Sequence, residues 1–555
     1  MPHLVKASSC LILWRKGKGG DIERLHDPFN TSEVSRIRTA VAASLPRVDR
    51  YGWSLEPELI DFQDPERSRR ALEHFGEAVW REALDWLYNE AMARPIRKAA
   101  YPEARRAFFG AVGGPAPAPE SPRPYPEVLA EFRARVAPAT YNSQHPGSFS
   151  YFTPPPLPMS IGAEVLSQWM QQGIDVWHAG PVGAFVEEEV VKWLRDLVGF
   201  GEGTWGVLTS GGVMANLMAM AVARDVHLAA LRGIDRGPRG GELEGVRVYV
   251  SDQAHFSIAR GLDLLGFPSD TLVVLPSDER FRLNGSTLAK AVARDREAGL
   301  TPLAIAAVSG STNTGSVDLV GELADVAQRE NLWLHVDAAY GGAARLSGRD
   351  SARVPELERA DSVTVDPHKW FFQAYDIGAL LVRRQEDLRT TFHREPEYYR
   401  SNRPEDEPLN WYQYSMEGTR RFRALKLWMS WKHLGTSGLG KLIEHNDDLA
   451  AYLAAKCSEA PDFEANPASP ELSVVCFRHL PRGHETMDEA SLDVYQTDLQ
   501  RALEMSEQAW VSTTTLRGRT YLRAGIVNYL SSEADVDRMM AVLRECSDGV
   551  VAALR

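Results

Sequence analysis

Cysteine is scarce in this chain: Cys10, Cys457, Cys476 and Cys546 are all there are in 555 residues. They form no CxxC pair. Their wide spacing excludes a disulfide-stapled small domain and suits reduced thiols in a cytoplasmic setting. A basic excess is also missing. Lys plus Arg number 62 against 75 Asp plus Glu, so the net charge is −13 and the basic footprint of a nucleic-acid binder is not expected. No apolar run approaches the roughly 20 residues of a membrane span. The apolar stretch in MPHLVKASSCLILWRKGKGG is short and its charges follow it, unlike a secretory signal. His145, His178, His255 and His368 show no HExxH-like spacing, so no metal site is expected.

What is present is ordinary globular usage, 44% hydrophobic and 25% charged, in a chain long enough to bury a large core. Residues 1–65 hold no long periodic segment and read as an extension. Residues 66–150 read as a helical arm. In ALEHFGEAVWREALDWLYNEAM (71–92) apolar residues recur at three- and four-residue steps. GAVGGPAPAPESPRPYP (110–126) is a linker or extended strap, because Pro blocks helix and ladder alike. PEVLAEFRARVAPAT (126–140) gives one more amphipathic helix.

Beyond residue 150 short apolar runs alternate with helical segments. The candidate strands are GVLTS (206–210), VRVYVS (246–251), TLVVLPS (271–277), PLAIAAVS (302–309), LWLHVDAA (332–339), SVTVD (362–366) and GALLVRR (378–384). Continuous apolar strands separated by helices predict a mostly parallel sheet covered on both faces, an α/β fold. Ligands of such sheets collect beyond the carboxyl ends of the strands.

Four features follow those strand ends. Ser210, Gly211 and Gly212 stand between a strand and a helix, where glycines let the backbone approach an anion held by free N–H groups. A tight strand-to-helix turn explains them equally when they are taken alone. Asp337 ends LWLHVD, and a buried carboxylate there needs a partner such as a cationic ring nitrogen. A helix N-cap or turn Asp is the plainer alternative. In SVTVDPHKWFF, Pro367 stops the ladder and pins Lys369 between His368 and the aromatics Trp370, Phe371 and Phe372. Apolar neighbours disfavour an ammonium, which makes Lys369 a Schiff-base candidate; otherwise it is a snorkelling surface Lys. His255 follows the strand VRVYVS, in YVSDQAHFS. An anion cradle, a carboxylate, an amine and an imidazole at one sheet edge are the set that pyridoxal 5′-phosphate (PLP) requires.

The motifs TSGGVMANL, SDQAHFSIARG, VSGSTNTGSVD, LHVDAAYGG, DPHKW and YLRAGIVNYLSSEADVD resemble those of the group II PLP-dependent amino-acid decarboxylases, from about residue 70 to 555. The resemblance implies the type I, aspartate aminotransferase-like fold. It places a PLP-binding large domain at 151–435 and a smaller C-terminal α/β domain at 436–555. It implies that Lys369 carries the cofactor, that Asp337 pairs with the pyridinium nitrogen, and that His255 stacks on the ring and assists proton transfer. It sets Ser210, Gly211, Gly212, Val213 and His368 by the phosphate, with Thr312 and Ala339 near the ring. Val213 lacks the hydroxyl that relatives have, leaving its N–H. The position of a loop Tyr that protonates Cα in relatives falls on Trp411, with Tyr412 and Tyr414 reachable by a small register shift. The polar stretch 394–408 suits a mobile lid.

The implied activity is decarboxylation of an L-amino acid, in a homodimer with the helical arm around its partner. Phe149, Tyr151, Phe152, Trp177 and His178 fall in segments that line the substrate pocket of relatives and favour an aromatic substrate, or else are packing residues. Because of Trp411, oxidative decarboxylation–deamination to an aldehyde is the alternative outcome. A PLP-fold partner protein without turnover is the other.

Overall fold

The structure, a computed structural model, describes residues 14–16, 22–24, 64–96, 101–110, 114–394, 396–397 and 409–554. Trp14–Lys16 (β1) and Ile22–Arg24 (β2) pair antiparallel. The expected extension 1–65 otherwise lies outside the described residues up to position 63.

All the strands expected from the short apolar runs form, as β3 Trp205–Thr209, β4 Val246–Ser251, β5 Leu272–Leu275, β6 Thr301–Val308, β7 Trp333–Asp337, β8 Ser362–Val365 and β9 Gly378–Val382. They build one seven-stranded sheet in the order β3-β9-β8-β7-β6-β4-β5. Only β9 runs against its neighbours; every other strand points the same way. The central strands are buried along their whole length, as residues covered on both faces must be. The carboxyl ends of β3, β4, β6, β7 and β8 therefore open onto one edge, and the segments following them build the site.

The helix Gly212–Val222 packs on β8 and β9 and continues as helix to Arg232. Gly212–Arg232 spans 21 residues and is long and apolar enough to cross a membrane by length and composition, which the sequence reading did not foresee. The interrupting charges Arg224 and Asp225 pair at 2.7 Å inside the protein, and 67% of the segment's most apolar 18-residue window is buried.

A second sheet, β10 Phe463–Ala465, β11 Val474–His479, β12 Ser512–Leu516 and β13 Arg519–Gly525, is antiparallel in the order β10-β11-β13-β12. It has its own core, including Phe149, Phe463, Phe477, Tyr495 and Met539, distinct from the core around the large sheet. Helix Ala424–Glu459 contributes to both cores and kinks at Gly435, whose φ of 67° favours glycine.

The residues read as a helical arm, 66–150, fall into both of two compact units. Met1–Trp86 groups with Arg105–Val136, while Leu87–Ala104 groups with Ala137–Arg555. Within the first unit Glu82 pairs with Arg133, and Phe75 meets Tyr125 edge to face at 5.1 Å. Within the second, the Asn142 amide donates to the carbonyls of Glu90 and Arg94, which ties that turn to the main body.

Asp447, on the kinked helix, has a side chain 0% exposed. Arg353 lies 3.8 Å from its Oδ2 but 3.1 Å from Asp350, so the guanidinium serves Asp350 first. Burial, with Asp350 nearby, pushes the Asp447 carboxyl up to about 8. An unfolded Asp titrates near ~3.9. Between those two values the native chain holds a proton that the unfolded chain has lost, so this group costs stability as pH rises. Asp447→Asn is therefore expected to gain on the wild type between about pH 5 and pH 8. Urea midpoints at both pH values check this; a pH-independent gap refutes it.

Candidate active site

The cavity at the sheet edge has a volume of about 360 Å³, and strand-end segments line it. After β3 the backbone turns through Gly211 at φ 150°, a conformation that favours glycine. A Cβ there would meet the His368 ring at 3.0 Å, and one on Gly212 would meet Asp366 Oδ2 at 2.8 Å. Gly211 caps the helix Gly212–Val222 without a side-chain hydrogen bond, so no side chain competes for the first-turn N–H groups. Ser210, Gly211, Gly212 and Val213 all line the cavity.

After β8, Asp366, His368 and Lys369 line the cavity next to that turn. Trp370, Phe371 and Phe372 are buried and anchor the turn, with the Trp370 indole donating to Asn446 Oδ1 at 3.0 Å. These aromatics face the core, so the expected apolar surroundings of the Lys369 amine do not materialise. Nζ lies instead 3.1 Å from the buried carboxylate of Asp366, whose other oxygen has no hydrogen-bond partner. His368 Nδ1 accepts from the Ile377 N–H at 3.2 Å, and burial lowers its pKa.

Asp337 ends β7 and is buried. Its Oδ1 accepts the Ala339 N–H at 3.1 Å and its Oδ2 accepts from Asn216 at 2.7 Å. His255 follows β4, and burial holds its pKa below the ordinary imidazole value, against the pull of Asp337. Thr312 follows β6, and its carbonyl accepts from Arg523 at 2.7 Å. Ala339, Thr312, His255, Asp337, His368 and Lys369 line the same cavity. The structure thus brings together every site residue expected from the strand ends.

Tyr412 and Tyr414 are not brought there. They lie in a 3₁₀ turn, Trp411–Tyr414, which packs against β3 and the helix Gln385–Phe392. Trp411 is 1% exposed, stacks on Trp205 at 5.7 Å and donates to the Ala184 carbonyl at 3.2 Å. The Tyr414 hydroxyl accepts from Gln385 at 3.0 Å, and the Tyr412 N–H donates to the Asp175 carbonyl at 3.1 Å. The buried pair Arg420–Glu187 holds the chain just beyond. This stretch is therefore an anchor, because its aromatic rings find a core to fill. Of the expected lid, Glu395 and residues 398–408 lie outside the described residues.

The aromatic set expected near the substrate also disperses. Phe149 fills the core of the second sheet, Phe152 stacks on Tyr340 at 4.0 Å, and Trp177 packs on Phe185. None of these, nor Tyr151 or His178, lines the cavity; Phe256 and Tyr340 do. Sequence reasoning missed Asn216 and Asp366. The second carried a usable signal, since it is the acid that opens DPHKW; the first, a neutral amide inside an apolar helix, carried none.

The residues present fit PLP. Uncapped N–H groups beside two glycines can receive a phosphate. A buried carboxylate with one donor on each oxygen can still accept a ring N–H, and a primary amine reaches the same space. Fold and cavity together define a PLP-dependent enzyme of the type I fold.

Comparison with known proteins agrees. The profile of the pyridoxal-dependent decarboxylase conserved domain matches residues 111–480. An aromatic-L-amino-acid decarboxylase of Bacillus atrophaeus is 33% identical over 408 residues, 73% of this chain and 82% of that protein. An L-2,4-diaminobutyrate decarboxylase of Acinetobacter baumannii is 33% identical over 350 residues, 61% of this chain and 68% of the relative. The crystal structure of Oryza sativa TDC with PLP and tryptamine superposes with a TM-score of 0.79 at 25% identity, covering 87% of this chain and 99% of that one. The chain belongs to the pyridoxal-dependent decarboxylase family. It is a PLP-dependent carboxy-lyase acting on an amino acid.

Proposed function

We propose that this enzyme decarboxylates an aromatic L-amino acid to the amine, with Lys369 as the covalent anchor of the cofactor and Asp337 as the partner of its ring nitrogen. The observation that carries this reading is that Lys369, Asp337 and the Gly211–Gly212 helix start line one cavity. PLP, when bound, supplies a sink for the electron pair left at Cα as CO2 departs. Asp337 holds a proton on the ring nitrogen, and its fixed negative charge acts where positive charge must persist. Gly212, Val213 and Ser210, with His368, hold the phosphate, while Thr312 and Ala339 bound the ring.

His255 delivers the proton to Cα. Among the described residues it lines the cavity, which Tyr412 and Tyr414 do not. The Ser257 N–H donates to its Nδ1 at 3.3 Å, so neutral His255 carries its proton on Nε2. Phe256, 53% exposed, and Tyr340 give the cavity aromatic walls, which supports an aromatic substrate.

A homodimer is supported by the exposed apolar side chains Trp169 (63%), Val182 (70%) and Phe185 (54%) on the main body. Free Cys457 and Cys476, both buried, suit the reducing cytoplasm.

The test is product analysis by mass spectrometry, with PLP-loaded protein and each common L-amino acid, in air and under argon. One equivalent each of CO2 and amine is expected from an aromatic substrate, at equal rates in both atmospheres. Aldehyde, ammonia and peroxide formed only in air would replace this reading with the oxidative one. Preference for a diamino or acidic substrate would overturn the aromatic assignment alone.

A further inference from the structure

Asn216 sits on the second turn of the helix Gly212–Val222 with its amide 1% exposed, between three polar groups. Its Nδ2 donates to Asp337 Oδ2 at 2.7 Å and to Ser257 Oγ at 2.8 Å. Its Oδ1 lies 3.0 Å from His335 Nε2. The reversed amide would set an oxygen against an ionised carboxylate that has no proton to offer, so chemistry selects this orientation.

Every other proton in the network then has one place to go. Oδ1 only accepts, so His335 Nε2 carries a hydrogen. Burial lowers the His335 pKa to about 4, so the ring is neutral and its Nδ1 accepts. The donor there is the Ser362 hydroxyl at 2.9 Å, whose oxygen in turn accepts the Trp333 indole N–H at 2.9 Å. On the cavity side, Ser257 Oγ receives Asn216 and turns its hydrogen toward His255 Nδ1 at 2.8 Å. One carboxamide is thus the joint between a neutral hydrogen-bond chain in the core and the two groups that flank the ring.

We infer that Asn216 is a positioning residue that holds Asp337 as an ionised acceptor and His255 as its Nε2–H form, coupling the two into one rigid unit. The inference rests on the proposed roles of Asp337, His255 and Lys369. The charged and titratable groups that face the network are Asp337, His335, His255, Arg260, Lys369 and Asp366.

The test compares PLP dissociation constants of wild type, Asn216→Asp and Asn216→Ala across pH, read from the visible absorbance of bound cofactor, with circular dichroism to follow the fold. The new carboxyl of Asn216→Asp is the same size as the amide. While protonated it can donate to Asp337; once ionised it repels it. Relative to wild type, its PLP affinity is expected to be near normal in mild acid and to fall by up to about tenfold per pH unit as that shared proton is lost. Asn216→Ala removes both donors and is expected to bind about tenfold or more weakly at every pH. If Asn216→Ala fails to fold, the pH slope of Asn216→Asp decides alone. An Asn216→Asp protein that tracks wild type throughout, or that shows a constant loss, overturns the inference. Wild-type protein that does not bind PLP, or Lys369→Ala that keeps the wild-type visible band, overturns instead the site reading beneath it.

Discussion

Lys369→Ala is expected to lower the rate of CO2 release by at least about a thousandfold. The lysine amine is the only one lining the cavity among the described residues, and it enters from a turn that cannot be replaced by a neighbour. Trp370, Phe371 and Phe372 lock that turn in the core, so deleting the side chain leaves the backbone where it was. The loss is thus chemical. A secondary effect is also expected, because Asp366 loses the cation 3.1 Å away and is left as a buried carboxylate with one oxygen already unpartnered. That costs about 3–5 kcal/mol if the charge persists, and less if Asp366 takes up a proton. Single-turnover assays on folded protein, with the melting temperature measured alongside, separate the two effects. Turnover within tenfold of wild type would remove the lysine from the reaction.

Asp337→Ala is expected to lower kcat by about a hundred- to a thousandfold while PLP still binds through Lys369 and the phosphate cradle. The carboxylate is buried and holds one N–H donor on each oxygen, from Ala339 and Asn216. Those donors stabilise the ionised form and leave it free to accept a ring N–H. Removing it strands both donors, which adds a stability loss of about 1–3 kcal/mol per group. Asp337→Asn keeps the volume but not the charge. It is expected to match the alanine variant in rate while recovering part of the stability. An unchanged kcat in either variant refutes the electron-sink role.

Much of the scaffold was legible because its signals are local. A run such as GALLV (378–382) or LWLHV (332–336) states its own strand within a few residues, and a strand end followed by glycines or by Asp-Pro states its own turn. Four strand ends carrying Ser210–Gly212, Asp337, His255 and Lys369 therefore meet around one cavity. Where reading failed, the deciding contact lay far along the chain. Trp411 reads as a loop residue, yet Trp205 and the Ala184 carbonyl give it a buried seat, and Arg420 with Glu187 closes the stretch. The apolar flanks of Lys369 read as the surroundings of its amine. They turned inward, because the core gives them room and the Trp370 indole a partner in Asn446.

The sequence by itself determined the strands of the large sheet and the placing of Lys369, Asp337 and His255 just at or after strand ends, since each rests on residues within one turn or strand. Only the tertiary structure decided which distant groups hold them. Asn216 and Asp337 are 121 positions apart, and Asp366 lies against the Gly212 backbone from a strand end far along the chain. A hydrogen bond has no local signature in either partner's sequence; it exists only once packing has brought donor and acceptor within 3 Å or so of each other.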